Sequence, residues 1–337
     1  MGCSHQEAQS PGRLIAAAFA AALLIAAAPP WLSAAWLSPA WAEDYPNRPI
    51  TLVVPYPAGG GVDAIGRIVA AKLTTALGQQ VVVENRGGAA GVIGMRQVAK
   101  ATPDGYTLVV TTTGMSLPLN LGYDLAKDFT PLCLISSTPI VLMSNPTFAA
   151  KSIVEIIALA KKEPGKLTLG TPPAPTLNYF AVEQFRAMTG IEATVVTFRG
   201  TGPLTNDLIG GHVAVGFNTI APSIGNIQAG KLRAIAVAAQ RRASVLPDVP
   251  TAAESGLPGF DAVIYYGIMA PAGLPRPIVE KLNTALRKIV ASDEGKQRIA
   301  ADGGEPIGTS PEDFAVNLAR EEGKWADVIK KLNLKVE

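Results

Sequence analysis

The chain has 337 residues, of which 48% are hydrophobic and 17% charged, with a formal net charge of +2. This excludes a disordered chain, which needs low hydrophobicity and high net charge. It also excludes a nucleic-acid surface, which needs a concentrated basic footprint.

The first 42 residues read as a signal peptide. Arg13 gives a short positive start, and Leu14 to Ala28 is almost wholly Ala, Leu, Ile and Phe. At about 15 residues that run is short for a membrane span and suits a signal-peptide apolar region. Ala40-Trp41-Ala42 supplies a small-x-small cleavage pattern, so cleavage near Ala42 is expected; a retained anchor is the alternative. Cys3 precedes the apolar run, in the wrong place for a lipid-modified cleavage site. Cys133 is then the one cysteine of the exported chain, and without a neighbouring His it reads as a small core residue.

From Tyr45 onward, predicted strands and helices alternate. Ile50–Val54 reads as a strand. Asp63–Leu77 reads as a helix, with Ile65, Ile68, Val69, Leu73 and Leu77 at helical spacing and Gly78 as its stop. A strand at Gln80–Glu84, a helix at Gly91–Lys100 and a strand at Tyr106–Thr111 follow. This order implies a parallel sheet with helices on its faces.

Pro139–Ser144 is the next predicted strand. Ser152 with Glu155 three residues on forms a capping box for a helix that ends at Pro164-Gly165. The middle block repeats the pattern: a strand at Leu167–Thr171, a helix at Asn178–Met188, then strands at Thr194–Thr197, Val213–Phe217 and Ala234–Ala238. After Val263–Met269, two helices are expected. One carries Ile278, Leu282, Leu286 and Ile289. The other opens at Ser310-Pro311-Glu312-Asp313, with an N-cap Ser, an N1 Pro and first-turn acids. These tail helices have no sheet of their own and must pack on something already built, most simply the first lobe. The chain then crosses between lobes twice, near Ser137–Asn145 and Asp261–Pro271, which makes a hinge with a cleft. The expected organisation is lobe 1 at 45–140 and 263–337, with lobe 2 at 141–262.

His5 and His212 are the only histidines. One histidine outside the leader supplies no metal cluster. His212 leaves a serine hydrolase formally open, but it sits in a Gly-Gly turn, and no G-x-S-x-G elbow, H-E-x-x-H or P-loop occurs.

The Gly-rich stretch Tyr56-Pro57-Ala58-Gly59-Gly60-Gly61-Val62-Asp63 follows the first strand and opens the first long helix. Its glycines allow close backbone approach, and the helix start offers free N–H groups to an anion. Asp63 is placed to cap that helix. The same stretch fits a loose dinucleotide fingerprint, with Glu84 where a ribose-binding acid would sit, so a nicotinamide enzyme is a rival reading. Against it, Pro55 and Pro57 remove two donors before the turn. Thr171-Pro172-Pro173-Ala174-Pro175-Thr176-Leu177-Asn178 occupies the equivalent place in the middle block, where Thr171, Thr176 and Asn178 offer hydroxyl and amide groups. Ligands bind at the carboxyl ends of strands in such sheets. That adds Thr111–Ser116 with Thr113, Phe198–Thr201 with Arg199, Gly200 and Thr201, and Asn218–Thr219. Two helix starts facing across a cleft make a pincer for a carboxylate.

The chain resembles the substrate-binding proteins of the tripartite tricarboxylate transporter family, also called the Bug family. The resemblance rests on Tyr45-Pro46-x-Arg48-Pro49-Ile50 with Val53-Val54-Pro55-Tyr56-Pro57-Ala58-Gly59-Gly60, and on Val83-Glu84-Asn85-Arg86-x-Gly88-Ala89-x-Gly91-x-Ile93-Gly94. Asp104-Gly105-Tyr106-Thr107-Leu108, Leu246-Pro247-Asp248-Val249-Pro250-Thr251-x-x-Glu254-x-Gly256 and Ala270-Pro271-Ala272-Gly273-x-Pro275 extend it over nearly the whole exported chain. It implies a type II periplasmic-binding-protein fold of two α/β lobes, whose two cleft loops grip a ligand carboxylate partly through backbone amides. It also implies a periplasmic monomer, with no enzymatic activity and no cofactor, that delivers a small organic carboxylate to integral-membrane transporter subunits. A ligand sensor is the alternative role. The chain departs from the family pattern in the Pro-rich second loop, where a Gly- and Ser-rich loop with a His is usual. It also departs at Thr197-Phe198-Arg199-Gly200 and at Tyr265-Tyr266-Gly267.

Overall fold

The computed structural model describes Gly2 and residues 45–116 and 121–333. The expected signal peptide lies outside the described residues. Strand β1 (Ile50–Val54) pairs in parallel with β2 (Val81–Asn85) and with β3 (Thr107–Thr112). Helix α1 (Gly61–Leu77) covers them, burying Ile65, Val69, Ala70 and Leu73 at helical spacing, and Gly78 closes it in the left-handed conformation. A Cβ built on Gly66 would lie 2.6 Å from Val54 Cγ2, so only glycine lets the helix seat this closely on β1. Helix α2 (Val92–Ala99) follows a 3-10 turn, and a second 3-10 turn (Thr113–Ser116) follows β3.

A short α3 (Leu125–Asp128) leads into β4 (Phe129–Ser144), which is much longer than the Pro139–Ser144 strand expected from sequence. Its burial is nearly continuous, so it lacks the two-residue alternation that betrays a half-exposed strand. Pro131 falls at a register shift, where a missing donor is tolerated. The lower part of β4 pairs antiparallel with β9 (Val263–Pro271), which also pairs with β3. The upper part pairs with β7 (Val215–Asn218) and β8 (Arg233–Ala238). Strand β5 (Thr168–Thr171) joins β7 and β6 (Thr194–Thr197) in parallel, and β10 (Glu305–Pro306) pairs with β4. β4 therefore runs from the first parallel set into the second.

Helix α4 (Ile153–Lys162) carries the expected cap: Ser152 Oγ accepts Glu155 N–H at 3.2 Å, and Glu155 Oε2 accepts Lys151 N–H at 2.7 Å. Helix α5 (Leu177–Thr189) buries Phe180 and Phe185, and Phe185, Phe217 and Phe260 pack edge to face with centroids 5.3 to 6.2 Å apart. Each such ring, fully buried, contributes up to about 3 kcal/mol. Helices α6 (Thr201–Ile209) and α7 (Ile224–Gln228) are additional to the elements that the sequence predicts. Three tail helices occur instead of two: α8 (Arg276–Ala291), α9 (Asp293–Ala301) and α10 (Pro311–Lys331). α8 and α10 pack on β4, and α8 and α9 pack on α1.

Candidate functional site

Three helix starts converge on one cavity of about 590 Å3, counting its solvent-open mouth. Gly60, Gly61 and Val62 come from α1, Thr176, Leu177 and Asn178 from α5, and Gly200, Thr201 and Gly202 from α6. In each helix the i→i−4 ladder begins only later. Ala64 donates to Gly60 O at 3.0 Å, Phe180 to Thr176 O at 3.3 Å, and Leu204 to Gly200 O at 3.4 Å. The earlier N–H groups carry the positive end of each helix dipole. Neither α1 nor α6 has a side-chain cap at its N-terminus.

Tyr56, Pro57 and Ala58 line the cavity ahead of α1, whereas Gly59 and Asp63 do not. Asp63 acts from behind. Its buried carboxylate accepts Gly59 N–H at 3.0 Å, Arg67 Nε at 2.9 Å and Asn85 Nδ2 at 2.9 Å. It therefore reaches back from the third helical position to pin the loop; the N-cap is Gly60, not Asp63. Burial pushes the Asp63 pKa up, but hydrogen bonds from Arg67, Gly59 and Asn85, with the Arg67 charge, outweigh it and hold the carboxyl below its ordinary value. Gly59 adopts φ +86°, a conformation that favours glycine.

On the second loop, Thr176 lines the cavity, but its hydroxyl bonds to Pro172 O at 3.3 Å and Pro173 O at 2.8 Å. Asn178 Nδ2 donates to Phe217 O at 2.9 Å, fastening α5 to β7. Thr171 is buried beneath, its hydroxyl on Pro172 O at 3.0 Å, and lies outside the lining. Asn218 is also buried outside it. Its Nδ2 donates to Thr201 O at 3.2 Å and Thr205 Oγ1 at 2.9 Å, while its Oδ1 accepts Thr219 N–H at 2.9 Å. Asn218 thus fixes two lining residues, Thr201 and Thr219. Thr113 is buried with its Oγ1 accepting Tyr265 N–H at 2.9 Å, and Thr112 lines the cavity in its place. Arg199 is exposed and lies outside the lining.

The walls nearly touch. A Cβ on Gly60 would lie 3.0 Å from Thr201 Oγ1, and one on Gly114 would lie 2.9 Å from Leu177 N. No Lys, Arg, His, Asp or Glu is among the lining residues, which offer backbone N–H groups, threonine and tyrosine hydroxyls, and apolar surface. Burial pushes the Tyr56 phenol up to about 12, against the lowering effect of its hydrogen bond with Thr112, and burial raises Tyr266 likewise. Both phenols are neutral donors at neutral pH. Gly202, Pro203, Ile264 and Tyr266 were not foreseen as site residues. The first two belong to the first turn of α6, a helix that the sequence pattern does not predict. Ile264 and Tyr266 occupy alternate positions of β9 and so share one face of that strand, but the alternation alone does not say which face meets the cavity.

His212 is exposed in a turn, its Nδ1 3.3 Å from Asp207 Oδ1. Glu84 pairs with Arg86 outside the cavity lining, away from any ribose-binding role there. Cys133 is buried, and burial pushes its thiol up to about 12. Among the described residues, no group of three or more His, Cys, Asp and Glu side chains is arranged to hold a metal ion.

The model of the tripartite tricarboxylate transporter family receptor matches residues 65–334. Protein BugT of Bordetella pertussis is 34% identical over 306 residues, spanning 89% of this chain and 94% of BugT. The structure of R. palustris Rpa4515 with adipate is 34% identical and has a TM-score of 0.83, covering 86% of this chain and 99% of that one. MatC (Rpa3494) from Rhodopseudomonas palustris with bound malate is 32% identical with a TM-score of 0.80, over 85% of this chain and 100% of that one. The architecture is accordingly the α/β periplasmic-binding-protein fold, two lobes joined by crossover segments with a cleft between them.

Proposed function

The chain belongs to the tripartite tricarboxylate transporter receptor family, and on that premise we propose that it is a periplasmic binding protein that closes on a small organic carboxylate and delivers it to membrane transporter subunits. The family is one of substrate-binding proteins rather than enzymes. One observation carries the ligand class: three helix N-termini meet at a cavity with no charged side chain in its lining. Backbone amides and hydroxyls are strong donors to an anion, and they need no counter-ion that would have to be desolvated. Adipate and malate in the related structures are of the same chemical class.

The lobes in this reading are 45–140 with 263–337, and 141–262. They are joined where β4 and β9 run side by side. The leader at 1–42 directs export, with cleavage near Ala42. Among the described residues no helix is long and apolar enough to cross a membrane. The exported chain acts as a monomer and needs no cofactor.

The test is a thermal-shift and calorimetric screen against mono-, di- and tricarboxylates, adipate and malate included. A ligand at 100 times its Kd stabilises the folded state by about 2.7 kcal/mol. Gly60→Asp, which sets bulk and negative charge against Thr201, should abolish that shift. A chain that no carboxylate stabilises contradicts the reading.

A further inference from the structure

Resting on that reading, we infer that Thr219 and Tyr266 are the side chains that hold the ligand's carboxylate, which places it at the α1 end of the cavity. Thr219 follows β7 and is 2% exposed. Its hydroxyl oxygen is sealed from solvent and has no hydrogen-bond partner. A buried hydroxyl without a partner is uncommon, because it has given up water for nothing. Tyr266 comes from β9, and it too is 2% exposed. The two hydroxyls meet over one point of the backbone. A Cβ built on Gly61 would lie 2.9 Å from Tyr266 Oη and 3.2 Å from Thr219 Oγ1.

Gly61 is the first residue of α1, and its N–H precedes the first intrahelical bond of that helix. Three elements therefore bring donors to the neighbourhood of Gly61: the start of α1, a threonine O–H and a neutral phenol O–H. None is charged, and together they fall within the roughly four lone-pair sites that the two oxygens of a carboxylate offer. Thr219 is not free to drift from this arrangement, since Asn218 Oδ1 accepts its N–H at 2.9 Å and the Asn218 amide is bonded in turn to Thr205 and Thr201. A carboxylate oxygen arriving at Gly61 would give the Thr219 hydroxyl the acceptor it lacks.

The experiment pairs two readouts on Thr219→Val, a near-isostere without the hydroxyl. Calorimetry uses the carboxylate that binds the parent best, and unfolding is followed without ligand. Affinity should fall roughly 10- to 100-fold, the loss of one hydrogen bond to a charged group. The ligand-free melting temperature should hold or rise, because a buried hydroxyl without a partner has been removed. Thr219→Ser should keep affinity within about threefold of the parent, and Tyr266→Phe should weaken it as Thr219→Val does. Binding by Thr219→Val within twofold of a binding parent overturns this assignment alone, as does a variant whose ligand-free melting temperature falls in step with its affinity. A parent that binds no carboxylate overturns instead the function on which the assignment rests.

Discussion

The Gly59 N–H donates to Asp63 Oδ2 across 3.0 Å, so the Gly-rich loop is tied to the helix that it opens. The same carboxylate takes Arg67 Nε and Asn85 Nδ2, and Asn85 Nδ2 also reaches Tyr56 O at 3.1 Å. Glycines that allow close approach to a ligand are conformationally costly to order. This knot of bonds orders them before any ligand arrives, with Gly61 and Val62 in the cavity lining.

Asp63 gives that knot a pH dependence. Its folded pKa lies below the unfolded value of about 4. Stability from its ionisation is therefore present above that value and is lost as pH falls through the lower, folded value. Asp63→Asn should melt earlier than the parent at pH 7, and the gap should narrow as pH drops from about 5 to 3. Melting curves across that range check this. A gap constant down to pH 3 would count against the role given to Asp63.

Gly61→Ala sets a methyl 2.9 Å from Tyr266 Oη and 3.2 Å from Thr219 Oγ1. Gly61 has no left-handed requirement, so the backbone tolerates alanine and the conflict is confined to the cavity. Carboxylate affinity should fall at least about tenfold, about 1.4 kcal/mol, with little change in ligand-free stability. Titration calorimetry and a melting curve decide it, and unimpaired binding would show that α1 does not close on Tyr266.

Arg199 and Asn218 make a contrasting pair. Arg199 is exposed and outside the lining, so Arg199→Ala should change carboxylate affinity less than about twofold. Asn218 is buried and holds Thr201, Thr205 and Thr219, so Asn218→Ala should cost about 2 kcal/mol of stability and weaken binding as well. Chemical denaturation and calorimetry on both variants test this. A large loss for Arg199→Ala would mean that a cation takes part in capture.

Cys133 should resist thiol reagents. It is fully buried in β4 with its thiol pushed up to about 12, so almost no thiolate exists at neutral pH. Mass analysis of the Cys133 peptide should show negligible alkylation of the native chain and complete alkylation after denaturation. Rapid native alkylation would mean that β4 opens readily.

The regular units were legible where local chemistry is distinctive. Ser152 with Glu155, Gly78 after Leu77, and the glycines before α1 mark their elements by capping and turn geometry. The first ten residues of β4 were hidden because burial on both faces removes alternation and because Pro131 resembles a breaker. Helix α6 was hidden because Thr201-Gly202-Pro203 reads as a turn. Yet a proline in the first helical turn loses only an N–H that has no intrahelical partner. The first loop was readable as a site because glycines before a helix carry a mechanism. Tyr266 was not, because nothing local separates a tyrosine facing the cavity from its neighbour Tyr265. Only the pairing of β9 with β3 and β4 decides which face each takes.

The most direct test of capture by amides and hydroxyls is a crystal structure of the chain with its best-binding carboxylate. A carboxylate oxygen should lie about 2.7 to 3.2 Å from the Gly61 or Val62 nitrogen, with no Lys, Arg or His nitrogen within about 4 Å of it. A carboxylate paired with Arg199 or another cation, or bound away from the starts of α1, α5 and α6, would contradict it.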